Sequence, residues 1–477
     1  MAMFSASRSV IWFTIAYVLI RAFSFWSLSY PPIAILCSGF LVLAFIATCT
    51  KKPEIGFYFL LLEFALNGNG HFFELFGIAL RTWFVYIFLL IWFIQTIKNN
   101  ELKQALRLPK PFNTILLLLG ISVIVGSIMG ALNNHSLHTI IQDLIPYTFL
   151  LLIFPVRQYA TKALSPFISY LIISFIIGTS IFSLFTEFLF SSGLAVLHDT
   201  YYHWFRDIVG GKITDVGEHF FRVTSPEYLL LPIILIGINS LLIQKKEKTM
   251  MLWLLFIITA IPMLLSVSRT FILAYLIGLI FLFQKNNWKQ WFKISLISII
   301  SFLILFSSIH FIASRGESFG FELFSSRFGG IVNPDSEVSS ASRKTLLIPI
   351  FEKIKTHPII GSGLAETLTF IEPKTNTPVT TTQFDWGYLE LWTEIGLLGL
   401  LSTLSLISYL LLKLSQKNKG LFASTISLAF MQVTTPAIFH VFGVVILLWL
   451  FANYVSSLQF ASLLHTEQHD IEKKAGT

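Results

Sequence analysis

Apolar residues run along this chain in long stretches separated by short polar connections. The runs fall at 9–28, 32–49, 53–67, 82–97, 113–132, 139–156, 167–190, 227–243, 249–266, 268–284, 294–313, 388–412, 420–438 and 441–457. A helix of about 17–25 apolar residues crosses the hydrocarbon core of a bilayer. The third run is short, and the sixth contains Asp143 and Pro146. None alternates apolar with polar positions as barrel strands do; each is apolar on all sides. The pattern predicts an all-α fold, a polytopic transmembrane helical bundle of about 14 spans forming a single membrane domain over 1–477. The first run has no clear cleavage site after it and opens an unbroken series, so it is read as a span and not as a removed signal peptide.

Two connections are long, roughly 191–226 and 314–387. Loops of that length in a compact protein carry function or structure of their own. The second is polar, with Arg315, Arg327 and Arg343 among Ser, Thr, Gly and Pro, yet it holds an apolar, helical-looking stretch from Leu346 to Ile354. It is expected to form an extracytoplasmic loop subdomain. No internal repeat or low-complexity tract is evident.

Composition sharpens this picture. Of 477 residues, 55% are hydrophobic, 12% are charged and 48 are Phe, where soluble domains carry roughly 25% charged residues. A water-soluble enzyme, a disordered chain and a secreted disulfide scaffold are excluded. The net charge of +8 is read as the positive-inside rule and not as a nucleic-acid footprint. With the N-terminus inside, Lys51, Lys52, Lys98, Lys103, Arg107, Lys110, Arg157, Lys162, Lys245, Lys246, Lys248, Lys285, Lys289, Lys293, Lys413, Lys417, Lys419, Lys473 and Lys474 all fall in cytoplasmic segments. The short outside connections 29–31, 133–138 and 439–440 contain no Lys or Arg. Both termini are therefore expected inside and both long loops outside. Cys37 and Cys49 lie about 18 Å apart on one helix, too far for a disulfide.

Candidate chemistry sits where the outside loops meet the membrane. Arg222 ends the first loop and Arg269, in Ser-Val-Ser-Arg-Thr, opens the tenth run. Arginine near membrane depth is costly and points to function, and its forked donors suit phosphate; a snorkelling role toward lipid phosphates is the alternative. Arg21 and Arg81 are read as snorkelling. His357-Pro358-Ile359-Ile360-Gly361-Ser362-Gly363 forms a turn after a helical stretch, where a backbone can approach a ligand or simply reverse. Asp385 stands at the start of the twelfth run, with Glu390 and Glu394 four apart on one face; carboxylates at that depth face the bundle interior or a wet cavity, and both glutamates, Glu394 above all, can instead be structural partners for loop arginines. Asp385 can also be a helix N-cap. His71, His198, His203 and His219 are read as solvated loop residues without metal-ligand spacing.

Together these motifs resemble the O-antigen ligase and polymerase family of bacterial membrane glycosyltransferases, over roughly 220–410. The matching positions are Ser268 and Arg269, Arg343, Pro358 with Gly361 and Gly363, Tyr388 and Leu389, and Glu394 with Gly396 and Gly399. The Arg222 stretch is similar to the family's Arg-x-x-Gly-x-x-x-Pro-Asn element but lacks its Gly and Asn. The chain also departs at the family's loop histidine, where Asp385 and Trp386 stand. Asp there is more like the polysaccharide polymerases, and like related peptidoglycan polymerases that use an extracytoplasmic Asp.

The resemblance implies an inverting glycosyltransferase in the bacterial cytoplasmic membrane, active outside it, that polymerises surface polysaccharide from an undecaprenyl-diphosphate-linked glycan. A ligase moving the finished glycan to a lipid or protein acceptor is the alternative, and a lipid-linked sugar or solute transporter a more distant one. In this scheme Asp385, Arg222 and Arg269 are catalytic, while Arg343, Tyr388, Glu390, Gly361 and Gly363 bind substrate. Neither metal nor other cofactor is needed. Partners are the lipid-linked donor, an acceptor glycan or lipid and membrane lipids, with a chain-length regulator or flippase as the protein partner to look for.

Overall fold

The computed structural model describes residues 2–159, 164–244, 249–333, 337–373, 375–415 and 418–455. Lys162, Lys245, Lys246, Lys248, Lys417, Lys473 and Lys474, used above for topology, lie outside them. The first apolar runs become α1 (Ala2–Ser27), α2 (Pro31–Lys51) and α3 (Pro53–Leu66). Proline at the first helical positions of α2 and α3 costs no hydrogen bond there and presets the helical φ. A two-residue pair, β1 (Glu74–Leu75) with β2 (Ile78–Ala79), leads into α4 (Leu80–Lys98). Next come α5 (Leu102–Ala105), α6 (Lys110–Leu132), α7 (Leu137–Phe149), α8 (Ile153–Tyr159) and α9 (Leu164–Ser191).

The first long connection folds as α10 (Thr200–Asp207), capped by Asp199, and an antiparallel hairpin of β3 (Lys212–Asp215) and β4 (Phe221–Thr224). The bundle resumes with α11 (Leu230–Ile243), α12 (Thr249–Ser266), α13 (Arg269–Phe281) and α14 (Trp288–Ala313). The second long connection contains α15 (Phe321–Val332), α16 (Val338–Thr356) and a hairpin of β5 (Leu368–Ile371) and β6 (Pro378–Thr381). The last helices are α17 (Gly387–Ser415), α18 (Lys419–Thr434) and α19 (Val441–Val455).

Every apolar run thus falls on a helix, and the protein is an all-α helical bundle. Ten helical segments among the described residues are long and apolar enough to cross a membrane; α13 and α19 are shorter apolar helices, and α3 and α18, of 14 and 16 residues, also fall short of a full span. Cys37 and Cys49 are both free on α2.

The second loop has a core of its own. Leu346, Ile350 and Ile354, spaced four apart on α16, pack with Leu368 and Phe384, the stripe expected of an amphipathic helix. This confirms the helix read from Leu346 to Ile354 and extends it to both sides. The short hairpins were not anticipated.

The snorkelling reading of Arg21 and Arg81 is corrected. Both are almost fully buried. Arg21 pairs with Glu227 at 2.8 Å and donates to the Leu66 carbonyl, while Tyr17 donates to the other Glu227 oxygen at 2.7 Å. Arg81 pairs with Glu63 at 2.7 Å and donates to the Gly68 carbonyl. A charge in low dielectric is tolerable only when paired and hydrogen-bonded. The first pair ties the end of α1 to the end of α3 and to the segment just after β4, and the second ties the start of α4 to α3.

Candidate active site

Helix α17 is broken at Gly396, whose φ of 70° and ψ of −176° are open essentially only to glycine. The turn after α16 fills the break. In a continuous helix the Leu397 amide would donate to the Thr393 carbonyl. Here it donates to the Pro358 carbonyl, and the Ser362 amide takes its place on Thr393 at 2.7 Å. The Gly363 amide donates to the Glu394 carbonyl and the Leu364 amide to Gly126 of α6. A Cβ on Gly361 would overlap the α17 backbone at Glu394, and one on Gly363 the α6 backbone at Gly130. Gly361 and Gly363 therefore sit at a backbone junction between α6 and α17, and the Pro-x-x-Gly-x-Gly and Glu-x-Gly motifs are its two halves.

That junction fixes the start of α17 beside the ends of α12, α13 and α18. Tyr388 donates to the Ala429 carbonyl of α18 at 2.9 Å, and the Thr270 and Thr434 hydroxyls share a hydrogen bond of 2.7 Å. Between α12 and α13 the chain turns through Val267 at φ +41°, a left-handed conformation that a β-branched residue rarely adopts. The turn presents the Ser266 carbonyl to Arg222, whose Nε donates to it at 2.6 Å. This is the only side-chain hydrogen bond of Arg222 among the described residues, and its two terminal nitrogens make none there.

Arg222 sits within the field of Arg327, Arg343 and Arg269, with Glu337 among them. Burial and those three guanidiniums lower its pKa to about 10, and it stays protonated at neutral pH. Arg269 pairs with Glu337 at 2.6 Å and also donates to Ser340 and to the Arg327 carbonyl. Arg327 binds the other Glu337 oxygen at 2.7 Å. Arg343, on α16, meets Asp385 at 3.3 Å, and the Trp386 indole donates to the Arg343 carbonyl.

Asp385 adopts φ +56°. Its carboxylate faces Arg343 and caps no helix amide among the described residues, so the N-cap alternative is not what the geometry displays. Glu390 accepts the Phe384 amide at 3.2 Å, and Glu394, nearly buried, faces the Ala365 amide together with Asp143. Among the described residues neither glutamate pairs with an arginine, which corrects the reading of Glu394 as a partner for a loop arginine.

Arg222, Arg269, Arg343 and Asp385, predicted separately from four stretches of sequence, thus share one cluster at one end of the bundle. Tyr388 and Glu390 brace the helix beneath it, and Gly361 and Gly363 lie in the junction. Arg327 had been noted only as a loop charge. Glu337 and Ser340 carried no signal, since isolated polar residues in a polar loop look alike.

A multi-pass membrane bundle with a cationic, carboxylate-bearing site at the ends of its spans defines the class. Residues 254–404 match the family model described as O-antigen ligase, and over that segment the chain is similar to that family, as its motifs indicated. The match includes Arg269, Arg327, Glu337, Arg343, the turn and Asp385, and leaves Arg222 outside. Among curated proteins no match is found.

Proposed function

We propose that this protein is a polysaccharide polymerase that joins glycan units carried on undecaprenyl diphosphate, at the extracytoplasmic face of the cytoplasmic membrane. The observation that carries the reading is the convergence of four guanidiniums beside one exposed carboxylate. Arg222 and Arg269 hold the diphosphate of the donor and stabilise the charge that grows on it as the sugar departs. Arg343 holds Asp385 in place and contacts the acceptor. The Asp385 carboxylate takes the proton of an acceptor hydroxyl as that oxygen attacks the anomeric carbon. The C1–O bond to the diphosphate breaks, its electron pair stays with the lipid diphosphate, and the new glycosidic bond has inverted configuration.

Asp385 in place of the family's loop histidine supports polymerisation over ligation to a lipid acceptor. Long chains made from a purified lipid-diphosphate-linked repeat unit by the reconstituted protein are expected; transfer of one block to a separate acceptor would indicate a ligase. Arg269→Ala is expected to abolish polymer at unchanged protein abundance. Normal chain synthesis by that variant would remove the diphosphate role.

A further inference from the structure

A carboxylate inside a site built for anions calls for a reason. Glu337, at the start of α16, spends one oxygen on Arg269 at 2.6 Å and the other on Arg327 at 2.7 Å, and accepts Ser340 Oγ at 2.8 Å. Burial alone would raise its pKa, but the Ser340 hydroxyl and the two guanidiniums outweigh it and hold the carboxyl below its usual range. Gly330 walls the contact: a Cβ there would come within 3.0 Å of both the Arg269 guanidinium and Glu337. The bridge is therefore built, with its carboxylate ionised at neutral pH.

Its effect is on charge balance. Among the described residues, four guanidiniums against Glu337 and Asp385 leave the cluster two positive charges. A donor with sugar on one side and lipid on the other carries one negative charge per phosphorus, two in all. After transfer the terminal phosphate is held by the anhydride bridge alone and, like other singly substituted phosphates, has a further ionisation near pH 6, so the spent lipid diphosphate approaches three.

Resting on the diphosphate site proposed above, we infer that Glu337 is a specificity-determining and positioning residue that matches the site's charge to the donor and so lets the more highly charged product leave. Glu337→Gln moves the cluster one charge toward the product. Arg327→Gln moves it the other way.

The test is binding of undecaprenyl diphosphate and of the glycan-bearing donor to the full-length protein in detergent, at neutral pH and fixed salt, alongside turnover. Glu337→Gln is expected to bind undecaprenyl diphosphate about tenfold tighter, the scale of one partly screened charge. Donor affinity should change less, the first turnover should survive and steady-state turnover should fall. Glu337→Asp, which keeps the charge, restores release. Arg327→Gln should weaken product more than donor, which carries the test even where Glu337→Gln is poorly recovered. An unchanged product-to-donor ratio in these variants overturns the inference. Absence of any Arg222-dependent binding in the unmodified protein would overturn the diphosphate site itself.

Discussion

Asp385 combines a left-handed backbone with an arginine partner, and such backbone strain persists where surrounding contacts over-determine it. Asp385→Asn keeps shape and the Arg343 contact but cannot accept a proton. Its turnover is expected to drop 10²- to 10⁴-fold, the usual worth of a general base, with donor binding retained; turnover equal to the parent's would reduce Asp385 to an anchor for Arg343. Single charges were legible in the sequence when they sat in a motif, as Arg269 and Asp385 did. Arg21 and Arg81 were misread because their partners are invisible locally: Glu227 lies 206 residues from Arg21. Leaving one half of such a pair costs about 3–5 kcal/mol. Glu227→Ala should therefore lower the unfolding midpoint in detergent strongly, whereas a surface pair such as Arg206–Asp207 should be nearly silent.

At the level of elements, the helices were legible because apolar runs of bilayer length admit few other structures. The hairpins were not, since four-residue strands such as Pro378–Thr381 are too short to display a period. The motif glycines were visible as glycines, but their purpose emerges only when α6, α17 and the turn are seen to touch backbone to backbone. Gly363→Ala is expected to reduce folded yield sharply, whereas Gly329→Ala, in open space on α15, should be tolerated. Equal yields of the two would mean the junction can relax. The Arg269–Glu337–Arg327 bridge ties α13 to α15 and α16. Because the Glu337 carboxyl is held below its usual range, the stability it lends is present above its unfolded-chain pKa and lost as pH falls through its native value. A Glu337→Gln chain should therefore lose less stability than its parent on acidification, as thermal unfolding across pH would measure.

For the molecule as a whole, charge along the connections predicts an orientation that helix geometry alone does not. A single cysteine at the exposed Thr380 on β6, in a background without Cys37 and Cys49, should react with a membrane-impermeant maleimide in intact cells, and one at Lys103 should not. The reverse pattern would invert the topology and move the cluster to the cytoplasm. The exchange of amide partners between residues 358–363 and the break in α17 has a consequence for biogenesis. The turn is synthesised first and must wait for Thr393 and Glu394 to arrive. Closing the junction and placing α17 with the helices after it, the last fifth of the chain, are therefore one event. A nascent polypeptide stalled before that point leaves these peptide groups without their partners, a mark that surveillance proteases can read.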